Sequence, residues 1–212
     1  MDHTVSTVSK AHITPAEQRG MYELRYDTFH TRLGWQVHTE GRQEFDGYDE
    51  LPLVHYILGK SPDGCVDACW RLLPTQGPYM LRDVFPELLE GLPAPCAADC
   101  WELSRFALAT ERLAAAENAG NPQLGFGRLS MALMAEAGRF ALAHGIQRYV
   151  TVTTAAIERM LRHSGLSIHR LGRPQRVGQV LTVVCMIEVD DVTLRAIGLA
   201  PAVERPQTTA LA

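Results

Sequence analysis

Glu102 and Arg105 lie inside Trp101–Leu108, an otherwise apolar, strand-like run. A carboxylate and a guanidinium in such a setting are costly to bury unless they are paired or put to use. Taken alone, they read equally well as a structural ion pair at a sheet edge. Arg25, Asp46, Asp49 and Arg71 recur upstream in similar apolar company, and that recurrence favours a site. Other chemistries lack their motifs: there is no G-x-S-x-G nucleophile elbow, no Walker loop and no H-E-x-x-H zinc helix. Gly125-Phe126-Gly127-Arg128 reads as a turn and helix start rather than a phosphate cradle, and eight histidines are scattered without metal-ligand spacing. What remains is a set of acids, arginines and aromatics in the first half of the chain.

Composition narrows the class. At 212 residues, with 46% hydrophobic and 21% charged residues, the chain suits a soluble globular protein with a full core. A formal charge of −4 offers no basic field for nucleic acid. The start, MDHTVSTVSK, has no apolar segment, so no secretory signal is expected, and no run of apolar residues is long enough to span a membrane. A cytoplasmic, enzyme-sized domain is the expectation. Cys65/Cys69 and Cys96/Cys100 make two C-x3-C pairs, which raises the question of zinc. Cys65–Arg71 reads as a strand, however, and four strand residues span about 13 Å. Two thiolates that far apart do not share an ion bound at about 2.3 Å. An odd count of five cysteines also argues against a disulfide framework.

The elements that must position the charged set follow from local signals. Residues 1–12 are polar and read as a flexible arm. Thr14-Pro15-Ala16-Glu17 is a helix start, with a Thr cap, Pro at the first position and Glu at the third. That helix should run to about Arg32, with Tyr22, Leu24, Phe29 and Leu33 turned partly inward and Gly34 ending it. Arg25 and Phe29, four apart, share a face. Residues 34–50 have no clean period and read as a long surface segment able to act as a lid. Leu53–Leu58 and Cys65–Leu73 form a hairpin, and Tyr79–Leu89 holds a short helical segment. A polar loop runs from the end of Trp101–Leu108 to about Leu124. Residues 127–144 carry apolar positions at helical spacing up to Gly145. Tyr149–Thr153 is a strand, Ala155–His163 a helix, and Ile168–Leu171 and Val180–Val189 are strands, the last almost continuously apolar and so central. A final helix begins after Asp190, and residues 201–212 read as a flexible tail.

Arg25…Phe29…Trp35, then Glu44-Phe45-Asp46…Asp49, then Arg71-Leu72-Leu73-Pro74-Thr75, Met80-Leu81…Phe85-Pro86 and Trp101-Glu102-Leu103-Ser104-Arg105-Phe106, resemble the LuxI-type autoinducer synthases, the acyl-homoserine-lactone synthases. The likeness covers roughly residues 20–190 in the family's order and spacing. It implies an α/β, GNAT-like acyltransferase fold, a mixed twisted sheet packed by helices in a single domain over residues 13–200. It further implies S-adenosylmethionine as a substrate rather than a cofactor, no metal, and an acyl thioester on acyl-carrier protein as the donor. The products would be an N-acyl-homoserine lactone and methylthioadenosine. The runner-up is a GNAT-like N-acyltransferase taking acyl-CoA and another amine, and a catalytically idle relative that senses either ligand is a further alternative.

The residue chemistry suits the implied reaction. S-adenosylmethionine carries an ammonium, a carboxylate and a sulfonium, which call for acids, a guanidinium and an aromatic face. Asp46 and Asp49 are candidates for the ammonium, Arg25, Arg71 and Arg105 for the carboxylate, and Phe29, Trp35 and Phe106 for the apolar side. Asp49 and Arg71 read equally as a salt bridge ordering the lid. Glu102 is the candidate base, directly or through a water. In a regular strand Glu102 and Arg105 point to opposite faces, so a β-bulge or splayed strand is expected here. Leu133, Met134, Thr151, Thr153 and Met160 are candidates for an acyl tunnel between strand 149–153 and helices 127–144 and 155–163. Arg148, Arg159 and Arg162 form a candidate docking patch for an acidic carrier protein, against the commoner reading of a solvated helix face.

Overall fold

A computed structural model of the chain describes residues 3–116 and 127–199. The flexible tail expected over 201–212, residues 117–124 of the expected polar loop, and Gly125 and Phe126 lie outside the described residues.

The chain opens with a strand, β1 (Thr4–Ser9), and helix α1 (Pro15–Arg25), which passes into a π-helical stretch, Tyr26–Arg32. A short hairpin, β2 (Thr39–Glu40) and β3 (Gln43–Glu44), and a 3-10 turn, Gly47–Glu50, lead to β4 (His55–Lys60) and β5 (Val66–Pro74). Next come α2 (Met80–Asp83), a 3-10 turn at Pro86–Leu89, β6 (Cys100–Leu108) and α3 (Thr110–Ala116). The second half runs α4 (Arg128–His144), β7 (Arg148–Thr154), α5 (Ala155–His163), β8 (Ile168–Arg170), β9 (Gln175–Val177), β10 (Val180–Glu188) and α6 (Asp191–Ala196). The main sheet has the order β1-β4-β5-β6-β7-β10-β8, with β9 also paired to β10. Every pairing in it is antiparallel except β6 with β7.

Alternation along the strands divides the core. Ile57, Trp70, Leu72, Leu103, Val183 and Cys185 pack under α4 and α6 on one face. Tyr56, Leu58, Cys69, Leu73, Ala107 and Val184 meet α1 and the α2 region on the other. The period of two is what separates them.

Local signals explain the helix ends. Thr14 Oγ1 accepts from the Glu17 amide at 3.2 Å and Glu17 accepts from the Thr14 amide at 3.0 Å, the expected reciprocal cap. Gly34 follows the π-helical stretch with φ of 65°, a conformation open to a residue without Cβ. Leu33 is 47% exposed rather than turned inward. The wider π turn shifts the phase on which that expectation rested.

The first residues correct the reading of a flexible arm. Thr4–Ser9 pairs along β4 from Thr4↔Lys60 to Ser9↔His55, and Thr7 donates from its amide and hydroxyl to Glu136 on α4 at 3.0 and 2.8 Å. Alternating Thr, Val and Ser suits an edge strand whose outer side meets water, so polarity alone misled. The strand β9 and the helix α3 are two further elements that local pattern did not reveal.

Candidate active site

β5 and β6 carry the centre of the site, and their register is irregular there. Cys69 pairs with Ala107 but Arg71 pairs with Ser104, so β6 spends three residues where β5 spends two. The extra residue is accommodated at Arg105, whose φ is +56°. Such a left-handed non-glycine conformation costs about 1–3 kcal/mol. The expected bulge is therefore present, and it solves the problem of facing: Ser104 and Arg105 both turn to the side that holds Glu102. Phe106 goes the other way and meets Trp70 edge-on at 5.1 Å. Phe106 thus lies on the Trp70 side of the sheet, away from the acids and arginines.

Three arginines and three acids interlock on this face. Arg25 donates from Nε to Glu44 at 2.5 Å and from both terminal nitrogens to Asp49 at 2.9 Å. Arg71 holds Asp46 at 2.6 and 3.1 Å, approaches Asp49 at 3.1 Å and donates to Ser104 Oγ at 3.2 Å. Arg105 reaches Glu44 at 3.1 Å and Asp46 at 3.0 Å. The six formal charges sum to zero, the condition under which so many ions tolerate burial. Burial works to raise the Asp49 carboxyl, but Arg25 and Arg71 overcome it and hold Asp49 well below the usual carboxylate range. Burial also lowers Arg105, against the opposing field of Glu44.

Exposure sorts the six by what they can reach. The side chains of Arg25, Arg71, Glu44 and Asp49 are at most 1% exposed, whereas Arg105 and Asp46 keep 11% and 18%. The open edge of the cluster is thus Asp46 with Arg105. Beside it, Phe29 is buried under the Arg105 guanidinium at 5.4 Å, and the half-exposed Trp35 stacks on Phe29 at 5.2 Å. Residues 34–50 are accordingly no free lid: Glu44 and Asp49 pin the second half of the segment into the core. Glu44 escaped selection as a site residue because it sits in a stretch that reads as surface. Met80 was also missed; its Sδ lies 3.0 Å from Arg71 Nη2 and 3.4 Å from Arg105 Nη1.

Glu102 is 1% exposed and accepts from the Leu81 and Met80 amides at 2.7 and 3.1 Å, so both oxygens face the start of α2. Burial pushes its carboxyl up, against the pull of those two amides and of Arg71. The Ser104 side chain also hydrogen-bonds Glu102 and lowers its carboxyl.

Next to this face the sheet opens. The β6–β7 ladder runs from Cys100↔Arg148 to Leu103↔Thr151 and stops, although β6 continues to Leu108 and β7 to Thr154. Thr151 donates to the Leu103 carbonyl at 2.9 Å where the strands part. On the far face an apolar cavity of about 30 Å³ lies between Leu103, Trp70 and Tyr149 on the sheet, Met134 and Gly138 on α4, and the α6 region. Of the five expected tunnel residues, Met134 lines this cavity. Leu133 packs instead toward Gly59 of β4, Thr151 is tied to Leu103, and Thr153 and Met160 stand outside the lining. The cavity lies between the sheet, α4 and the α6 region, and no local pattern announces the docking of α6 on α4.

The three candidate docking arginines do not form one patch. Arg148, at the start of β7, is held by Asp99 at 3.0 and 3.1 Å. Arg162 and Arg170 share the buried Glu158 at 2.7 and 2.6 Å, and the exposed Arg159 stands on the same helix with no ion-pair partner among the described residues. Among those residues no group of three or more His, Cys, Asp or Glu is placed to hold a metal, the cysteines are all free, and no helix is long and apolar enough to cross a membrane.

The mixed sheet, parting between β6 and β7 and packed by helices, matches the GNAT-like fold of known proteins. At the level of fold alone, the chain superposes on a protein of Lactobacillus plantarum described as an N-acetyltransferase, with a TM-score of 0.57, 15% identity, and coverage of 90% of this chain and 100% of that one. The model of the family described as autoinducer synthase matches residues 9–197. An acyl-homoserine-lactone synthase of Pseudomonas aeruginosa is 40% identical over 172 residues, 80% of this chain and 81% of that one. The crystal structure of the acyl-homoserine-lactone synthase LasI superposes with a TM-score of 0.82 at 36% identity, covering 96% of this chain and 98% of that one. The chain belongs to the autoinducer synthase family. It is an enzyme of the acyl-homoserine-lactone synthase type with a GNAT-like fold, making a quorum-sensing signal from S-adenosylmethionine and an acyl thioester.

Proposed function

We propose that S-adenosylmethionine binds at the open edge of the charge cluster and that the acyl thioester, carried on acyl-carrier protein, enters where β6 and β7 part. The observation that carries this reading is the pairing of a partly exposed acid and a partly exposed guanidinium, Asp46 and Arg105, beside the Phe29–Trp35 stack. Asp46 takes the ammonium, Arg105 the carboxylate, and Trp35 covers the sulfonium and adenosine side. Arg25, Arg71, Glu44 and Asp49 act as positioning residues, since they are enclosed and satisfied by one another. The acyl chain occupies the apolar cavity beyond Leu103, and Arg159 and Arg162, joined by Arg170, meet the acidic carrier protein. The same proposal has the enzyme act in the cytoplasm.

In the first step the amine attacks the thioester carbonyl, the amide forms and the carrier thiol leaves. An unperturbed α-amine has a pKa of about 8, so losing its proton at neutral pH costs only about 1.4 kcal/mol. Holding the two substrates in attack geometry is worth more, about 7–11 kcal/mol. Glu102 receives the proton as the bond forms, through a water, and backbone N–H groups of the 102–106 stretch meet the oxyanion. In the second step the carboxylate oxygen attacks the γ-carbon and expels methylthioadenosine, a leaving group that positioning alone can serve.

Purified protein supplied with S-adenosylmethionine and either an acyl-carrier-protein or an acyl-CoA thioester tests the reading. Arg159→Glu/Arg162→Glu should raise KM for the carrier-protein thioester and leave the acyl-CoA reaction unchanged. Equal loss with both donors, or a preference for acyl-CoA in the wild type, would overturn the docking assignment.

A further inference from the structure

The α6 region carries an inference about which acyl chains the enzyme accepts; it rests on the reading of the apolar cavity as the acyl site. Gly138 lies in the middle of α4 and is buried. A glycine inside a helix costs about 1 kcal/mol relative to alanine, so its presence calls for a packing reason. The reason is visible: a Cβ added there would stand 2.6 Å from Ile197 Cδ1 and 2.8 Å from Leu199 Cδ1. The missing side chain makes a notch in α4, and the end of α6 is seated in it. Gly138 and Ile197 both line the cavity, and so does Leu103, the residue at which β6 leaves β7. The cavity is small, about 30 Å³. An acyl chain entering this cavity from the splay has Ile197, seated on Gly138, among the side chains it meets.

The two ends of α6 are held differently. Its start is fixed by polar contacts: Asp190 caps the Thr193 amide at 2.8 Å, and Thr193 Oγ1 accepts from the Ser167 amide at 2.9 Å. Its end, at Ile197 and Leu199, meets α4 through side-chain methyls over Gly138. Trimming those methyls deepens the cavity without touching the anchor. We propose that Ile197, seated on the Gly138 notch, is the specificity-determining stop that sets the length of acyl chain the enzyme transfers.

The test is competition between hexanoyl- and dodecanoyl-carrier-protein thioesters at fixed S-adenosylmethionine, following the ratio of kcat/KM for wild type, Ile197→Val and Ile197→Ala. A hydrophobic pocket discriminates by about ten-fold or more for each methylene-sized change. The dodecanoyl-to-hexanoyl ratio should rise through the series, by at least about ten-fold at Ile197→Ala. Simple loosening of α6 would lower both rates together and leave the ratio where it was. Should Ile197→Ala fail to fold, Ile197→Val, one methyl smaller, carries the same test. A flat ratio in a folded variant would overturn the stop. Met134→Trp separates that failure from failure of the acyl site itself: it should fill the cavity and suppress transfer of every chain while S-adenosylmethionine binding persists. If it too leaves both donors untouched, the cavity is not the acyl site and the stop is overturned with it.

Discussion

Glu44 binds two arginines at once, Arg25 through one oxygen and Arg105 through the other. Its loss leaves two buried guanidinium groups short of a partner, and breaking a buried pair in this way costs about 3–5 kcal/mol. Glu44→Gln should therefore lower the urea midpoint markedly, while Asp46→Asn, at the open edge, should change stability less and weaken S-adenosylmethionine binding more; calorimetry and urea titration of both variants separate these effects. Glu102 calls for a different experiment. Glu102→Gln keeps a carbonyl acceptor for one α2 amide but takes up no proton, so turnover should fall by about 10²–10⁴-fold with S-adenosylmethionine affinity nearly intact. Unchanged turnover would remove it from the chemistry. At this scale most of the site was legible: Arg25, Asp46, Asp49, Arg71, Glu102 and Arg105 stand out as charges in apolar company, and the structure gathers them on one face. Phe106 did not follow, because the bulge that turns Arg105 toward the acids turns its neighbour away.

Elements were legible wherever the signal was local. The Thr14–Glu17 cap, the long apolar period of α4 and the start of α6 after Asp190 all stand where the residues place them. Glu17 does more than cap: it also accepts from Lys60 of β4 at 2.5 Å and so ties α1 to the sheet. The Lys60 hydrogen bond, with the Thr14 cap, lowers its carboxyl from 4.5 to about 2. A carboxyl depressed in the folded state contributes stability above its unfolded pKa and loses it as pH falls toward the folded value. Wild type should thus exceed Glu17→Gln in urea midpoint at neutral pH, and the gap should close between about pH 4.5 and 2. A gap that is independent of pH would assign the role of Glu17 to packing instead. What local pattern did not show were elements defined by their partners: β1 is a strand because the β4 edge receives it, and the π-helical stretch keeps a helical composition.

For the molecule as a whole, the proposed function turns on how the sheet closes on one side and opens on the other. β6 and β7 are joined by the single parallel ladder among the described strands, and that ladder ends at Leu103. The charge cluster lies on one face of this point and the apolar cavity on the other, and the proposal has the amino acid and the fatty chain meet across the gap. No periodicity reveals such an arrangement, which arises from strand order and from α6 packing onto Gly138. The measurement that bears most directly on it is a crystal structure of the enzyme with S-adenosylmethionine bound. The ammonium should lie within about 3 Å of Asp46, the carboxylate on Arg105 and the adenosine against Trp35, with the amine facing the β6–β7 opening. S-adenosylmethionine bound elsewhere, with Asp46 and Arg105 still joined to each other and untouched, would contradict the account.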